Sequence, residues 1–370
     1  MAYKFIISGG GTGGHIFPAI SIANALKSKL PDAEILFVGA EGRMEMEKVP
    51  AAGYKIIGLP VSGFDRKNMF KNIAVIFKLL KSVLKARGVI RSFRPNVAVG
   101  VGGYASAPIL RAASAFGVVT VLQEQNSYAG VTNKLLARKA SAICVAYDGM
   151  EKFFPKEKII KTGNPVRQDL TLIPSHSEEA YKYFNFDKSK KTLLILGGSL
   201  GARTVNRSVI AHLNKLANED IQVIWQTGKF YFTEAKKAAE PYKSDRLIVT
   251  DFVSRMDYAY AIADLVVSRA GASSVSELCL LAKPAILVPS PNVAEDHQTK
   301  NAMALVNKQA ALLVTDSNAE NELIDVAIKT IHNEALLTQL EKNISELAEH
   351  NSADRIADII IHVVNKKSNL

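Results

Sequence analysis

Cysteine and tryptophan are scarce in this 370-residue chain, which contains two cysteines and one tryptophan. Cys144 and Cys279 lie in apolar stretches and have neither the spacing of a zinc site nor the density of a disulfide framework, so we expect a reducing compartment. No apolar run reaches the roughly 20 residues that a membrane-spanning helix needs. Acidic residues are also fewer than basic ones, 35 against 46, and the net charge of +11 favours an anionic partner.

The residues that are present alternate between two patterns. Runs rich in β-branched and aromatic residues alternate with segments of helical spacing, first before and then after a turn-rich segment at 162–167. This alternation predicts βαβ crossovers and parallel sheets, and the length suits two domains. The sequence therefore predicts an α/β protein whose two halves each open with a glycine loop and face each other across a cleft.

The first glycine loop, Gly-Gly-Gly-Thr-Gly-Gly at 9–14, stands between a strand pattern and a helical pattern. Such a loop offers backbone N–H groups and a helix N-terminus to an anion, most often a phosphate. It fits the dinucleotide fingerprint, but Glu41 comes late for the acid that holds a ribose hydroxyl. It also has P-loop spacing, but His15 and Ile16 stand where Lys and Ser or Thr are required. The other interpretations are a diphosphate or sugar loop that presents His15, and a tight turn without a ligand.

A second glycine loop, Gly-Gly-Ser-Leu-Gly-Ala-Arg at 197–203, opens the other half of the chain. It fits the nucleophile elbow of a hydrolase, with His297 and either Asp251 or Asp264 to complete a triad. Arg203 and the additional glycine suit a phosphate better than an acyl group. We therefore prefer an anion site and keep the hydrolase as an alternative.

Small and hydroxyl residues at 268–276 open a further predicted helix directly after a strand, which indicates another anion-binding N-terminus. Glu277 comes one to two turns later, where its carboxylate can accept hydrogen bonds from a ribose diol. The alternative is a capped helix whose Glu277 only favours the dipole. Asp296 and His297 follow downstream, but no second His or Cys lies at ligand spacing, so no metal site is predicted.

Residues 64–94 combine an apolar helical stripe with a high density of basic residues. Between positions 67 and 87 there are six Lys or Arg residues and no acid. The stripe either faces the core or forms, with the basic residues, a surface that rests on anionic lipid headgroups. Nucleic acid is not predicted as a partner, because the chain lacks an aromatic-interleaved basic pattern. The apolar stripe consists of Phe70, Ile73, Phe77, Leu80 and Leu84.

Seven motifs, in this order, give the chain a resemblance to a known family over nearly its whole length. They are Gly-Gly-Thr-Gly-Gly-His at 10–15, Gly-Gly-Tyr at 102–104, Glu-Gln-Asn at 124–126, Gly-Asn-Pro-Val-Arg at 163–167, Gly-Gly-Ser at 197–199, Gly-Ala-Ser-Ser-Val-Ser-Glu at 271–277 and Asp-His-Gln at 296–298. Together they resemble the MurG family of glycosyltransferase family 28, the bacterial N-acetylglucosaminyltransferases that form lipid II. In one departure, Gln123 stands where many relatives have His, so no acid–base role at that position operates here. Ser274 stands where Thr is frequent and keeps the hydroxyl.

The resemblance implies a GT-B fold with two Rossmann-like domains. Residues 1–164 would form an acceptor-binding, membrane-facing domain and residues 165–349 a UDP-sugar domain, with a helix at about 350–370 packing back on the first. The implied reaction is the inverting transfer of N-acetylglucosamine from UDP-N-acetylglucosamine to the 4-hydroxyl of N-acetylmuramic acid in lipid I. It gives lipid II for peptidoglycan synthesis and needs no cofactor.

The resemblance also implies a location and further partners. The protein would be peripheral at the cytoplasmic face of the inner membrane, with residues 64–94 on the anionic surface and other cell-wall synthesis proteins as partners. The alternatives are a GT-B UDP-sugar transferase with a different acceptor, a nucleotide-sugar-responsive binding protein, and a dehydrogenase.

Roles for single residues follow from the resemblance and from the reaction. Inversion requires one direct displacement and a base for the acceptor hydroxyl; His15 is our candidate, with Glu124 as the rival, and His15 would otherwise only position the acceptor diphosphate. Arg167 and the helix N-termini would neutralise the leaving group. The backbone near Val253 would contact uracil. The full set of expected substrate-binding residues is Thr12, Gly13, Gly14, Tyr104, Asn126, Arg167, Ser199, Asn206, Val253, Ala272, Ser273, Ser274, Val275, Ser276, Glu277 and Gln298.

Overall fold

The computed structural model describes residues 3–61, 71–166, 168–198 and 201–368. The chain divides into two compact units. The first unit comprises Met1–Val166 together with His350–Leu370, and the second unit comprises Arg167–Glu349. Each unit contains one parallel β-sheet with helices packed against it.

The first unit contains a parallel sheet with the strand order β3-β2-β1-β4-β5-β6-β7 among the described residues. Each strand is followed by a crossover, and the order reverses between β1 and β4, the position at which open α/β sheets bind ligands. The elements are β1 Lys4–Gly9, α1 Gly13–Lys29, β2 Glu34–Ala40, α2 Glu45–Ala51, β3 Lys55–Leu59, α3 Lys71–Phe93, β4 Val97–Gly102, α4 Ser106–Ala115, β5 Val119–Glu124, α5 Val131–Leu136, β6 Ala142–Val145 and β7 Ile159–Lys161.

The core of the first unit lies on both faces of this sheet. Successive residues of β1 point to opposite faces, and Phe5, Ile6 and Ile7 are all fully buried. Phe5 and Ile7 pack in the cluster beneath α1, whereas Ile6 packs in the cluster beneath α3 and α4. A strand that is covered on both faces needs a continuous apolar run, which is the pattern that the sequence has there.

The second unit repeats this arrangement. Its described strands are all parallel in the order β10-β9-β8-β11-β12-β13, so the order reverses between β8 and β11. The elements are α6 Glu178–Phe184, β8 Lys191–Leu196, α7 Arg203–Ala211, α8 Leu213–Asn218, β9 Ile221–Gln226, α9 Phe232–Ala239, β10 Leu247–Thr250, α10 Met256–Ile262, β11 Leu265–Ser268, α11 Ala272–Leu280, β12 Ala285–Leu287, α12 His297–Val306, β13 Leu312–Leu313, α13 Asp316–Ile331 and α14 Glu334–Ser345.

The last helix of the chain, α15 (Ser352–Ser368), belongs to the first unit. Its apolar face, with Ile356 and Ile360 fully buried, packs in the same cluster as Phe5 and Ile7. At its rim, Asp358 accepts a 2.9 Å contact from Lys29 of α1. The helix thus closes the α1 side of the first sheet.

The prediction of an α/β fold with two Rossmann-like parallel sheets is confirmed. Two edge strands, β3 and β13, were not among the strands expected from the sequence. Among the described residues, no helix has the length and apolarity needed to cross a bilayer.

Candidate functional site

The first glycine loop joins β1 to α1 at the carboxyl end of the first sheet. Gly11 has φ +87°, a left-handed value that favours glycine, and Thr12 is extended at φ −144° directly before the helix. The first N–H groups of a helix have no intrahelical partner, so those of Gly13 and Gly14 are available as donors to an anion. The predicted strand–loop–helix arrangement is present, with the helix beginning two residues before His15.

His15 is held on the first turn of α1 through its Nδ1 atom. This atom lies 3.1 Å from the carbonyl oxygen of Gly10 and 3.3 Å from Thr12 Oγ1. A carbonyl oxygen only accepts hydrogen bonds, so we assign the proton to Nδ1. A neutral imidazole in this tautomer has its lone pair on Nε2, which is the nitrogen that can take up a proton.

The turn after β4 borders the imidazole. Gly102 and Gly103 have φ values of +103° and +87°, and a Cβ atom on Gly102 would lie 2.7 Å from His15 Nε2. A Cβ on Gly103 would lie 2.5 Å from the carbonyl oxygen of Gly10. The two glycine turns therefore pack directly on each other, and Tyr104, which follows them, keeps an exposed side chain.

Glu124 is the last residue of β5, and its side chain is only 2% exposed. Its Oε1 accepts from the N–H of Asn126 at 3.1 Å and from the Asn126 amide at 3.4 Å. Its Oε2 accepts from the N–H of Gly130 at 3.0 Å and from the Asn133 amide at 2.9 Å. These four donors to one carboxylate hold the loop after β5 in place.

A buried network of amides lies behind this loop. Gln123 donates to Asn164 Oδ1 at 3.1 Å, and Asn164 in turn donates to the carbonyl of Gln125 at 3.0 Å. Gln125 also donates to the Gln123 side chain and, at 2.6 Å, to the carbonyl of Val101. Gln123 is therefore a structural amide that ties the Glu-Gln-Asn segment to β4 and to residue 164.

Sequence reasoning missed one carboxylate of the first unit. Glu41, considered as a ribose ligand, is exposed and pairs with Lys85 at 2.9 Å. Glu45 is instead fully buried, and it accepts hydrogen bonds from Gly11 N–H and Ala40 N–H, both at 2.9 Å. No motif marks Glu45 in the sequence, since both contacts are made to backbone groups that any residue possesses.

In the second unit, the first two turns of α11 contain most of the predicted donor-binding residues. Gly271 is extended at φ −66°, ψ 145°, and α11 begins at Ala272. Ala272 and Val275 are buried, so they fix the helix while the serines line its first turn. Ser273 Oγ is buried and has no hydrogen-bond partner within the described part of the chain.

Glu277 lies on the second turn of α11 and is partly exposed. Its Oε2 accepts a 3.1 Å hydrogen bond from the hydroxyl of Tyr260, which is buried on α10. This contact orients the carboxylate relative to the helix N-terminus.

The other predicted donor residues of the second unit differ in accessibility. Gln298, on the first turn of α12, is partly exposed, and its Oε1 accepts from Ser290 N–H at 2.8 Å. Val253 is buried. Asn206 is also buried; its amide donates to the carbonyl of Thr227 at 2.8 Å and accepts from Trp225 Nε1 at 2.9 Å. Asn206 thus holds α7 to β9, and its substrate contact stays a prediction.

A second network that the sequence did not indicate surrounds Arg269, directly after β11. Its guanidinium donates to the carbonyls of Val288 and Pro289 at 3.1 and 3.3 Å and to Asp316 at 2.5 Å. The other oxygen of Asp316 accepts from Thr204 Oγ1 at 3.0 Å. These contacts hold α7, α13 and the segment after β12 around the turn that opens α11.

Two predicted ligands, Arg167 and Ser199, lie outside the described residues, as does the part of the basic apolar segment from 64 to 70. Within the described ranges, no three His, Cys, Asp or Glu side chains are grouped so that they could hold a metal ion.

The described part of the basic apolar segment is α3. Its core side carries the buried residues Val75, Ala86, Val89 and Ile90. The predicted apolar stripe lies on the opposite side: Phe77, Leu80 and Leu84 are 63%, 57% and 68% exposed. The interpretation of this stripe as core-facing is therefore wrong for these three residues. Exposed Lys78, Lys81 and Lys85 lie beside them on the helix.

Comparison with known proteins links both units to one family. The glycosyltransferase family 28 N-terminal domain matches residues 5–145, and the family 28 C-terminal domain matches residues 192–359. A protein of Parabacteroides distasonis is 62% identical over 365 residues, 99% of each chain. One of Bacteroides fragilis is 63% identical over 369 residues, 99% of this chain and 97% of the other. Both are named UDP-N-acetylglucosamine–N-acetylmuramyl-(pentapeptide) pyrophosphoryl-undecaprenol N-acetylglucosamine transferase.

Solved structures extend the likeness to the fold. The crystal structure of MurG from Acinetobacter baumannii is similar with a TM-score of 0.79 at 26% identity, over 98% of this chain and 100% of that one. A UDP-N-acetylglucosamine 2-epimerase reaches a TM-score of 0.66 at 13% identity, over 98% of this chain and 96% of that one, which shows a shared fold alone. Because the family models match both units and the relatives match nearly end to end, this chain belongs to glycosyltransferase family 28, as its seven motifs indicate.

Proposed function

We propose that this protein transfers N-acetylglucosamine from UDP-N-acetylglucosamine to the 4-hydroxyl of N-acetylmuramic acid in lipid I, which gives lipid II. The observation that carries the proposal is the 62% identity, over 99% of both chains, to a relative named for that reaction. The two anion-binding helix N-termini, of α1 and α11, supply one diphosphate site in each unit.

The second unit is proposed to bind the donor. The N-terminus of α11 would receive the diphosphate, the carboxylate of Glu277 would accept hydrogen bonds from the ribose hydroxyls, and Gln298 would contact the sugar. The Tyr260 contact supports this assignment, because it orients the Glu277 carboxylate on the second turn of α11. Ser199, Arg167 and the backbone near Val253 would complete the donor contacts.

The first unit is proposed to bind the acceptor and to supply the base. Inversion at C1 is one displacement: the acceptor oxygen attacks while the bond from C1 to the UDP oxygen breaks. His15 would take the proton of the 4-hydroxyl on Nε2, because its Nδ1 is directed at the Gly10 carbonyl. Glu124 is the weaker candidate, since its carboxylate already accepts four hydrogen bonds. Thr12, Gly13, Gly14, Tyr104 and Asn126 would line the acceptor pocket.

The departing UDP gains negative charge as the bond breaks. Backbone N–H groups at the start of α11, the dipole of that helix and Arg167 would stabilise this charge. The backbone N–H groups and the helix dipole are fixed before the reaction, so the proposed step needs no metal ion.

We also propose that α3 rests on the anionic cytoplasmic face of the membrane, where lipid I is presented. Three exposed apolar side chains beside three lysines support this, since such a surface combines apolar insertion with attraction to acidic headgroups. Other proteins of cell-wall synthesis are further proposed partners.

Transfer of labelled N-acetylglucosamine from its UDP donor to a short-chain lipid I analogue tests the proposal. The wild type and His15→Ala are compared with and without EDTA, and the anomer of the product is determined. We expect an EDTA-resistant β-linked product and a fall in turnover of about 100-fold or more in the variant with donor binding retained. Tight donor binding without transfer would instead indicate a UDP-sugar transferase with a different acceptor.

A further inference from the structure

Glu45, the first residue of α2, has a carboxylate enclosed beneath the first glycine loop. Two glycines make room for it: a Cβ on Gly10 would lie only 2.1 Å from Oε1, and one on Gly39 would lie 2.5 Å from Cγ. Its two oxygens accept from Ala40 N–H and Gly11 N–H at 2.9 Å each. A buried carboxylate with these two donors fixes the loop between the ends of β1 and β2.

The peptide bond between Gly10 and Gly11 is hydrogen-bonded at both ends. Its N–H group, on Gly11, donates to Glu45 at 2.9 Å. Its C=O group, on Gly10, lies 3.1 Å from His15 Nδ1 and accepts the proton of that nitrogen. A single peptide unit therefore connects the carboxylate to the imidazole.

We propose that Glu45 is a positioning residue that acts on His15 through the Gly10–Gly11 peptide, by fixing its tautomer and strengthening Nε2 as a base. The proposal rests on the proposed function, in which His15 deprotonates the acceptor. An N–H bonded to a carboxylate polarises its own peptide, so the carbonyl at the other end becomes a stronger acceptor. A stronger acceptor at Nδ1 stabilises the imidazolium that forms, as a carboxylate bonded directly to His does in serine hydrolases.

The proton balance of the step is simple. The acceptor 4-hydroxyl loses its proton to His15 Nε2, the new C1–O bond forms, and the bond from C1 to UDP breaks with its electron pair. The positive charge on His15 is then held at Nδ1–H by the Gly10 carbonyl, and Glu45 keeps both of its hydrogen bonds and takes up no proton. His15 returns to neutrality by releasing the proton to solvent after the products leave.

The first test is nitrogen NMR of the wild-type protein labelled with ¹⁵N-histidine, in which the seven histidines are compared with those of His15→Gln to identify His15. We expect the neutral His15 to carry its proton on Nδ1. A proton on Nε2 would overturn the proposal. This measurement needs neither substrate nor a folded variant at position 45, so it remains decisive even if the transfer reaction itself were not observed.

The second test compares Glu45→Gln with Glu47→Gln, which removes the same charge from an exposed position on the same helix. In Glu45→Gln we expect kcat to fall about 10- to 100-fold, with the KM for UDP-N-acetylglucosamine within about twofold of wild type. The His15 signals should shift toward a mixture of tautomers. Glu47→Gln should behave as the wild type does.

The outcomes are separable. A Glu45→Gln protein with unchanged kcat and an unchanged His15 tautomer would overturn the proposal. A loss of thermal stability accompanied by a higher KM for both substrates, with the Nδ1 tautomer intact, would contradict it too, because that pattern belongs to a purely structural residue.

Discussion

The exposed face of α3 gives a prediction whose magnitude can be worked out from the structure. Replacing Leu80 and Leu84 together by serine removes apolar surface that the fold does not bury. The two side chains are 57% and 68% exposed, so the substitutions leave the packing of Val89 and Ile90 on the opposite side unchanged. We expect each substitution to change the free energy of unfolding by no more than about 0.5 kcal/mol, which is the range of ordinary surface substitutions. The melting temperature should therefore change little.

The magnitude follows from these exposed fractions. Together they amount to a little more than one whole leucine side chain, and full burial of a leucine contributes about 2 kcal/mol. Complete insertion of this surface would therefore contribute about 2.5 kcal/mol, roughly a 70-fold effect on partitioning. If only half of this apolar surface is inserted, the partition coefficient changes about tenfold. We therefore expect the variant to bind vesicles between about 10- and 70-fold more weakly than the wild type.

Co-sedimentation with vesicles of mixed neutral and anionic phospholipids measures this partitioning. The matched control is Leu172→Ser, which removes the same side chain from a 76% exposed position in the second unit. Binding should also weaken with salt, because each basic residue near the surface contributes about 1 kcal/mol through a screened interaction. Equal partitioning of the double variant, Leu172→Ser and the wild type would refute the assignment of α3 to the membrane.

Two further predictions concern the second unit. Glu277→Gln should raise the KM for UDP-N-acetylglucosamine about tenfold or more in steady-state kinetics, since a hydrogen bond to a charged group contributes about 1.5–3 kcal/mol; an unchanged KM would remove Glu277 from the ribose site. Asp257 accepts hydrogen bonds from Arg255 at 2.7–3.2 Å, which hold the pKa of its carboxyl below the ordinary 3.8. That contribution to stability is present above pH 4 and is lost as the pH falls through the lowered pKa. Between pH 6 and pH 2.5, the free energy of unfolding of Asp257→Asn should therefore fall by about 0.5–1 kcal/mol less than that of the wild type. Thermal unfolding at the two pH values measures this difference.

The elements that the sequence predicted correctly are those that a short stretch encodes. β1 is a continuous apolar run and the first loop is a run of glycines, so the strand, the turn and the start of α1 need no information from elsewhere in the chain. β13 has only two residues, Leu312–Leu313, and pairs with β12 at the edge of its sheet. An element that short carries no detectable period, which is why it was not predicted.

The orientation of α3 stayed open at the level of the sequence for a different reason. The helix has apolar residues on two opposite sides: Val75, Val89 and Ile90 on one, and Phe77 and Leu84 on the other. Helical spacing identifies both stripes, but it does not say which of them meets the sheet. That choice depends on which elements the rest of the fold brings against the helix.

The hydrogen bonds of Glu45 and Glu124 are the part of the site that could not be predicted from the sequence. Glu45 accepts from the N–H of Gly11 in the loop after β1, and Glu124 accepts from the N–H of Gly130 in the loop after its own strand. Both contacts are made to backbone groups, so neither of them requires a particular residue type at the donor. Both carboxylates are already used as hydrogen-bond acceptors, and a base must have a lone pair available to the substrate. Under the proposed function, this favours His15 over Glu124 as the base. Gly10 and Gly39 then do more than form turns. Because they lack a Cβ atom, they leave space for the Glu45 carboxylate, which we propose orients the imidazole.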